Sequence, residues 1–204
     1  MPVPAARATL LPGSDPRGRM IESTITLLRQ GGYFAAGINE IVKVSAAPKG
    51  SVYHYFPEGK KQIVGEALAV YASRVAPLIG RTLGSARTPD GKIRALFRMF
   101  AERIEQAEFR ASCAVGTVSL DLDAELEDVR ATITGAFTEW SALIASHFPI
   151  RDARRRKSFA SLVLTVIEGG YVRARAEHSS APFREAGTWL AEIAKREIPA
   201  PVSR

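Results

Sequence analysis

Apolar residues recur at three- and four-residue steps along most of this chain, and strict alternation is sustained nowhere. That periodicity predicts an all-α fold. Asp15-Pro16 has the form of an N-cap with proline in the first turn, and the stripe Ile21, Ile25 and Leu28 is expected to stop at Gly31-Gly32. Ile38, Ile41 and Val42 mark a short helix. A turn at Ser45-Ala46-Ala47-Pro48 leads into a second short helix, which reaches about Tyr55 before Phe56-Pro57-Glu58-Gly59 breaks it. A long helix is expected over about 60–83, with Val64, Ala67, Leu68, Tyr71, Val75 and Leu78 on one stripe.

The remainder repeats this organisation with longer helices. Thr88-Pro89-Asp90 opens one whose face is Ile93, Leu96, Phe97, Phe100 and Ile104. Residues 113–120 fit either a short helix or an apolar strand. Asp121 or Asp123 is expected to cap the next helix, with Leu122, Leu126, Val129, Ile133, Phe137, Trp140 and Ile144 on its stripe. After a basic start at 151–157 come Phe159, Leu162, Val163, Val166, Ile167 and Tyr171. Ser180 and Pro182 then open a final helix carrying Phe183, Ala186, Leu190 and Ile193.

Composition narrows the class. The 204 residues are 46% hydrophobic and 24% charged, as in a globular domain, or one domain with a small appendage. A single cysteine, Cys113, excludes a disulfide framework within one chain and a cysteine-clustered zinc site. The formal charge of +7 admits a polyanionic partner, nucleic acid or an anionic membrane surface, without choosing between them. Three prolines and an arginine interrupt the first 13 residues, unlike a signal peptide, and no run approaches the roughly 18 apolar residues of a membrane helix. A cytoplasmic protein, not bound to membrane, is the simplest reading.

Residues 17–68 hold the informative chemistry. One helix of three to four turns, then two short helices joined by a turn, is the helix-turn-helix layout. In the second short helix Val52 and Phe56, four apart, are expected inward, leaving Lys49, Ser51, Tyr53 and His54 outside. Backbone amides at a helix start favour an anion, so Lys49 and Gly50 suit a phosphate, and Gly50 lets the backbone approach closely. Tyr53 offers a hydroxyl and His54 an N–H, while Lys60 and Lys61 are placed to hold flanking backbone.

Gly32-Tyr33, Ile38 with Ile41, and the run from Ala47 to Ile63 (APKGSVYHYFPEGKKQI) resemble the DNA-binding domain of TetR-type transcriptional repressors. Pro48, the extra residue in Pro57-Glu58-Gly59-Lys60, and Ser112-Cys113-Ala114-Val115 are similar to the subgroup of lincomycin-resistance-operon repressors. Ile167-Glu168-Gly169-Gly170 is family-like as well.

The resemblance implies a leader at 1–14, a helix-turn-helix domain at 15–59, a helical ligand-binding and dimerisation domain at 60–198, and a tail at 199–204. It further implies a homodimer on a pseudo-palindromic operator of double-stranded DNA, released by a small hydrophobic or amphipathic effector. Asn39, Lys43 and Ser51 become the base readers, beside Lys49, Gly50, Tyr53, His54, Lys60 and Lys61. Phe97, Phe100, Cys113, Phe137 and Trp140 become pocket residues. Phe159, Val163, Ile167, Gly170, Tyr171, Phe183 and Leu190 are expected at an intersubunit bundle. The chain departs from the family pattern at Ala36-Gly37, where Thr-Ser or Thr-Thr is usual, at Ala46 in place of glycine, and at Ser112 and Ala114 around the cysteine.

Other classes stay in view. A DNA-binding protein without an effector, architectural or constitutive, has the same head. Lys49-Gly50-Ser51 lacks the glycine spacing and preceding strand of a P-loop. No paired carboxylates, nucleophile–base arrangement or cofactor motif supports an enzyme, and His54, His147 and His178 have no metal partner at helical spacing. The basic run at 151–157 reads as a solvated helix start, and Cys113 as a small buried hydrophobe.

Overall fold

Asp15 accepts a hydrogen bond from the Gly18 amide, and Pro16 stands in the first turn, so α1 (Pro16–Ala35) starts where its cap signals. The structure, a computed structural model, describes residues 15–48, 50–123 and 126–198; the expected leader, the tail and Lys49 lie outside the described residues. After α1 come α2 (Ile38–Ser45), α3 (Ser51–Tyr55), α4 (Lys60–Gly84), α5 (Pro89–Gln106), α6 (Ala114–Ser119), α7 (Glu127–Ser146), α8 (Ala153–Glu177) and α9 (Ala181–Glu197). No strand occurs among the described residues, so the all-α reading holds.

Two local expectations are corrected and one open alternative is decided. Gly31-Gly32 breaks α1 without ending it: Gly31 (φ −151°, ψ 19°) and Gly32 (φ 72°, ψ −160°) leave the helical region, and the helix resumes through Ala35. The ambiguous 113–120 stretch forms α6, not a strand. Asp121, one of two expected caps for α7, instead accepts the Tyr33 amide at 2.7 Å, and Leu122 precedes α7 rather than joining its stripe.

The chain divides into two compact units. The first takes the described residues up to Tyr71 together with those of Ala114–Ile133; the second takes those of Ala72–Cys113 and from Thr134 onward. The first unit is therefore discontinuous in sequence, and the boundary expected at 59/60 falls inside it. Its core is Met20, Ile25 and Leu28 of α1, Ile41 of α2, Val52 of α3, Phe56, the α4 residues Ile63, Val64 and Leu68, and Val115 and Val118 of α6. Each such side chain contributes roughly 1.5–3 kcal/mol by leaving water.

In the second unit α5 packs on α9, and α8 on both. Phe183 stacks on Phe100 with centroids 6.2 Å apart and meets Tyr171 edge-on at 5.2 Å. Thr88 caps α5 and Asp152 caps α8. Ser180 sits at the N-cap of α9, but its hydroxyl donates to Glu105, which also pairs with Arg184 at 2.8 Å. By length and composition α4 passes for a membrane helix, with mean hydropathy 1.3 in its best stretch. Half of that stretch is buried within the protein, and the helix supplies core residues to each unit from its respective part.

Candidate nucleic-acid interface

Three buried anchors aim α2 and α3. Ile41, Val52 and Phe56 are fully buried, so helical geometry turns the intervening residues outward. The turn between the two helices places Ala46 in the left-handed region (φ 51°, ψ 31°), which costs a residue with a Cβ about 1–2 kcal/mol. Local bonds hold it there. Arg19 Nε donates to the Ser45 carbonyl at 3.1 Å, and the Ala47 amide donates to Ser45 Oγ at 3.3 Å. Gly37 stands at the N-cap of α2 with no side-chain bond, as its missing hydroxyl requires.

Most of the expected contact residues share this exposed surface. Asn39 and Lys43 are exposed on α2, with Lys43 3.6 Å from Glu40. Gly50 opens α3 into free space. Tyr53 is 63% exposed, and His54 is exposed with its ring 4.9 Å from that of Tyr55. Lys61 is exposed. Ser51 uses its hydroxyl locally, donating to the Pro48 carbonyl at 2.6 Å. Lys49 lies outside the described residues.

Lys60 differs from all of these. It is half-buried, with its ammonium 3.8 Å from the Tyr33 ring centroid and 5.8 Å from that of Phe34. Burial pushes its pKa below the usual lysine value, and the nearby Asp121 carboxylate partly offsets that.

An exposed helix-turn-helix set on an all-α chain defines a DNA-binding regulator, and the comparisons place it. The model of bacterial regulatory proteins of the tetR family matches residues 20–67. An uncharacterised HTH-type transcriptional regulator of Mycobacterium tuberculosis is 31% identical, covering 90% of this chain and 96% of that one. The chain belongs to the TetR family of transcriptional regulators, which bind DNA through this element.

Within the family, residues 89–188 match the LmrA/YxaF-like C-terminal domain. The HTH-type regulator LmrA of Bacillus subtilis is 25% identical over 89% of this chain and 98% of its own. Among solved structures, a TetR regulatory protein of Rhodobacter sphaeroides superposes with TM-score 0.80 at 26% identity, covering 88% of this chain and 98% of that one. CifR, a TetR-family regulator solved with a 26-bp operator duplex, shares the fold (TM-score 0.72, 21% identity, 93% of this chain and all of that one).

The second unit places the other expected residues in two ways. Phe97, Phe100, Cys113 and Trp140 are buried, with Trp140 Nε1 donating to the Ala72 carbonyl at 3.4 Å, and Phe137 is half-buried 5.9 Å from the Trp140 ring. None of the five lines the open grooves of about 310 Å³ (Leu78, Arg81, Thr82, Met99 and neighbours) and about 280 Å³ (Phe159, Leu162, Ile193 and neighbours).

Phe159, Val163, Ile167, Gly170, Tyr171, Phe183 and Leu190 are likewise buried within the protomer. What the same helices expose is Leu162 and Val172 of α8 and Trp189 and Ile193 of α9, with Trp189 74% exposed. Periodicity alone could not assign the two faces of these helices, because both are apolar. Glu168 is a further residue that the pattern did not single out. Burial raises its carboxyl to about 7, against a hydrogen bond from Cys113. In the basic run, Arg155 pairs with Glu197, and Arg156 donates to the Ile150 carbonyl.

Proposed function

We propose that this chain represses transcription as a homodimer on a pseudo-palindromic operator in the cytoplasm, and that a small apolar or amphipathic effector releases it. The observation that carries the dimer is the exposed apolar stripe. Leu162, Gly169 and Val172 share one face of α8, Trp189 and Ile193 one face of α9, and the groove of about 280 Å³ joins Leu162 to Ile193. Exposed apolar side chains gathered on two neighbouring helices suit a standard interface, which removes roughly 800 Å² from each partner. Gly169 has nothing within 4 Å of its Cβ position, so a second copy can approach the backbone there.

On DNA, Tyr53, His54 and Lys61 would fix register on phosphates while Asn39 and Lys43 face base edges, with half-sites about 34–36 Å apart. What supports a DNA partner is that CifR, which shares the fold, was solved with a 26-bp operator duplex. A second reading, a DNA binder without effector, is favoured by one feature: Phe97, Phe100, Cys113 and Trp140 are all buried.

The test uses a 30-bp duplex selected by the protein from a random pool. Tyr53→Ala is expected to weaken its binding severalfold while light scattering still reports a dimer. Trp189→Glu is expected to yield monomers. Undiminished affinity in the first variant removes Tyr53 from the contact set, and a dimeric second variant moves the interface elsewhere. A ligand library that never displaces the duplex selects the second reading.

A further inference from the structure

One carboxylate in the first unit, that of Asp121, meets the end of α1 at Gly32 and Tyr33. The break at Gly32 combines φ 72° with ψ −160°, a region essentially reserved for glycine. Two side chains from the 114–133 segment bond backbone groups of α1 on either side of that break. Thr117 Oγ1 donates to the Leu28 carbonyl at 2.7 Å. Asp121 Oδ2 accepts from the Tyr33 amide at 2.7 Å. The fit is close, since a Cβ on Gly32 would stand 2.2 Å from Asp121 Oδ2 and 3.3 Å from the Thr117 carbonyl oxygen. The Tyr33 ring in turn seats the Lys60 ammonium at 3.8 Å, within the field of the same carboxylate.

These contacts bracket the recognition element. The last turn of α1 leads through Ala36-Gly37 straight into α2, and Lys60 is the first residue of α4 after α3. We propose that Asp121 is a positioning residue for operator binding: it fixes the break in α1 and withdraws Lys60 from the phosphate contacts. The inference rests on the DNA-binding reading above and assigns Asp121 no contact with DNA.

The charge and the acceptor roles separate by substitution. Asp121→Asn keeps an oxygen for the Tyr33 amide but removes the charge that faces Lys60, whereas Asp121→Ala removes both. On a random-sequence 30-bp duplex, the slope of log K against log salt counts neutralised phosphates at about 0.9 each. Asp121→Asn is expected to steepen that slope by about 1.8 per bound dimer, about 0.9 for each Lys60 that turns to the backbone, and adding Lys60→Met is expected to restore it. On the duplex selected by the wild-type protein, Asp121→Ala is expected to bind about tenfold more weakly, the order set by one lost hydrogen bond that orders the site. Asp121→Asn is expected to stay within threefold.

Hydrogen exchange at the Tyr33 amide supplies a readout without DNA. It is expected to accelerate in Asp121→Ala and stay protected in Asp121→Asn. Unchanged salt slopes overturn the withdrawal of Lys60, and full affinity of Asp121→Ala for the selected duplex overturns the positioning role. A wild-type protein that neither binds the random-sequence duplex nor selects any duplex from the pool sinks the DNA-binding reading itself, which no variant comparison does. If Asp121→Ala melts too early to assay, the Asn variant carries the test alone. Its slope must then steepen, and full wild-type behaviour refutes the proposal.

Discussion

Replacing Gly170 by alanine sets helix propensity against packing at one atom. Alanine is favoured over glycine in a helix interior by about 1 kcal/mol. Against that, a Cβ on Gly170 would lie 2.7 Å from Phe183 Cε1, 2.9 Å from Cδ1 and 3.1 Å from Cζ. Phe183 is fully buried, stacked on Phe100 and edge-on to Tyr171, so its ring moves only by opening that triad. Overpacking of this kind costs roughly 1–3 kcal/mol, and the locked ring places it near the upper end. The net expectation is a loss of about 1–2 kcal/mol.

Gly135 of α7 supplies the control, because a Cβ there meets nothing within 4 Å and Gly135→Ala should stabilise by roughly 0.5–1 kcal/mol. The two variants should therefore differ by about 1.5–3 kcal/mol, or roughly 3–12 °C in Tm for a chain of this size. Thermal melts followed by circular dichroism, at one fixed protein concentration because association shifts Tm, read the difference. A Gly170→Ala variant melting as high as Gly135→Ala would show that the ring yields, and the packing argument would fail.

Further consequences can be measured separately. Gly32→Ala combines backbone strain of roughly 1–3 kcal/mol with the loss of the Asp121–Tyr33 bond, at about 1–3 kcal/mol. Urea denaturation should show a drop of about 2–6 kcal/mol, and a value within experimental error of wild type contradicts the special role of that glycine. Thr88→Ala removes the cap bond to the Gly91 amide and should cost roughly 0.5–2 kcal/mol in the same assay; no loss would mean the bond is replaced by water.

Glu168 gives a pH dependence with a definite sign. Its carboxyl titrates near 7 when folded and near about 4.3 when unfolded, so between those values the native state holds more protons. Stability should fall as pH rises from about 4.3 to 7 and level off above, by about 4 kcal/mol at most. Glu168→Gln should flatten that part of the profile and raise Tm at pH 8. A variant with the wild-type profile would assign the slope to other groups.

How far the residues spoke for themselves depended on whether the deciding interaction was local. The caps at Asp15 and Thr88 act within three residues, and the inward pair Val52 and Phe56 follows from one helical turn. Both are visible in sequence. The left-handed Ala46 was flagged only by the absence of the glycine its position prefers. Asp121 reads as a cap because an aspartate before a helical stripe usually is one; its actual partner is 88 positions away, and no local signal competes with that bond. The same holds for Lys60, whose phosphate-ready position is overridden by two aromatic rings and a distant carboxylate. On α8 and α9 apolar residues occupy both faces, so periodicity identified the helices but not that Gly170 turns inward while Trp189 turns out.

The discontinuity of the first unit also bears on how such regulators can be recombined. A head cut after residue 71 would lose Val115 and Val118 from its core and leave the Leu28 carbonyl and Tyr33 amide without Thr117 and Asp121. A chimera that grafts this head onto another sensor domain should therefore carry residues 114–133 as well. By the same logic, drift at Gly32, Thr117 and Asp121 is constrained jointly. Those three positions form one structural unit, although the interval from residue 72 to residue 113 separates them along the chain.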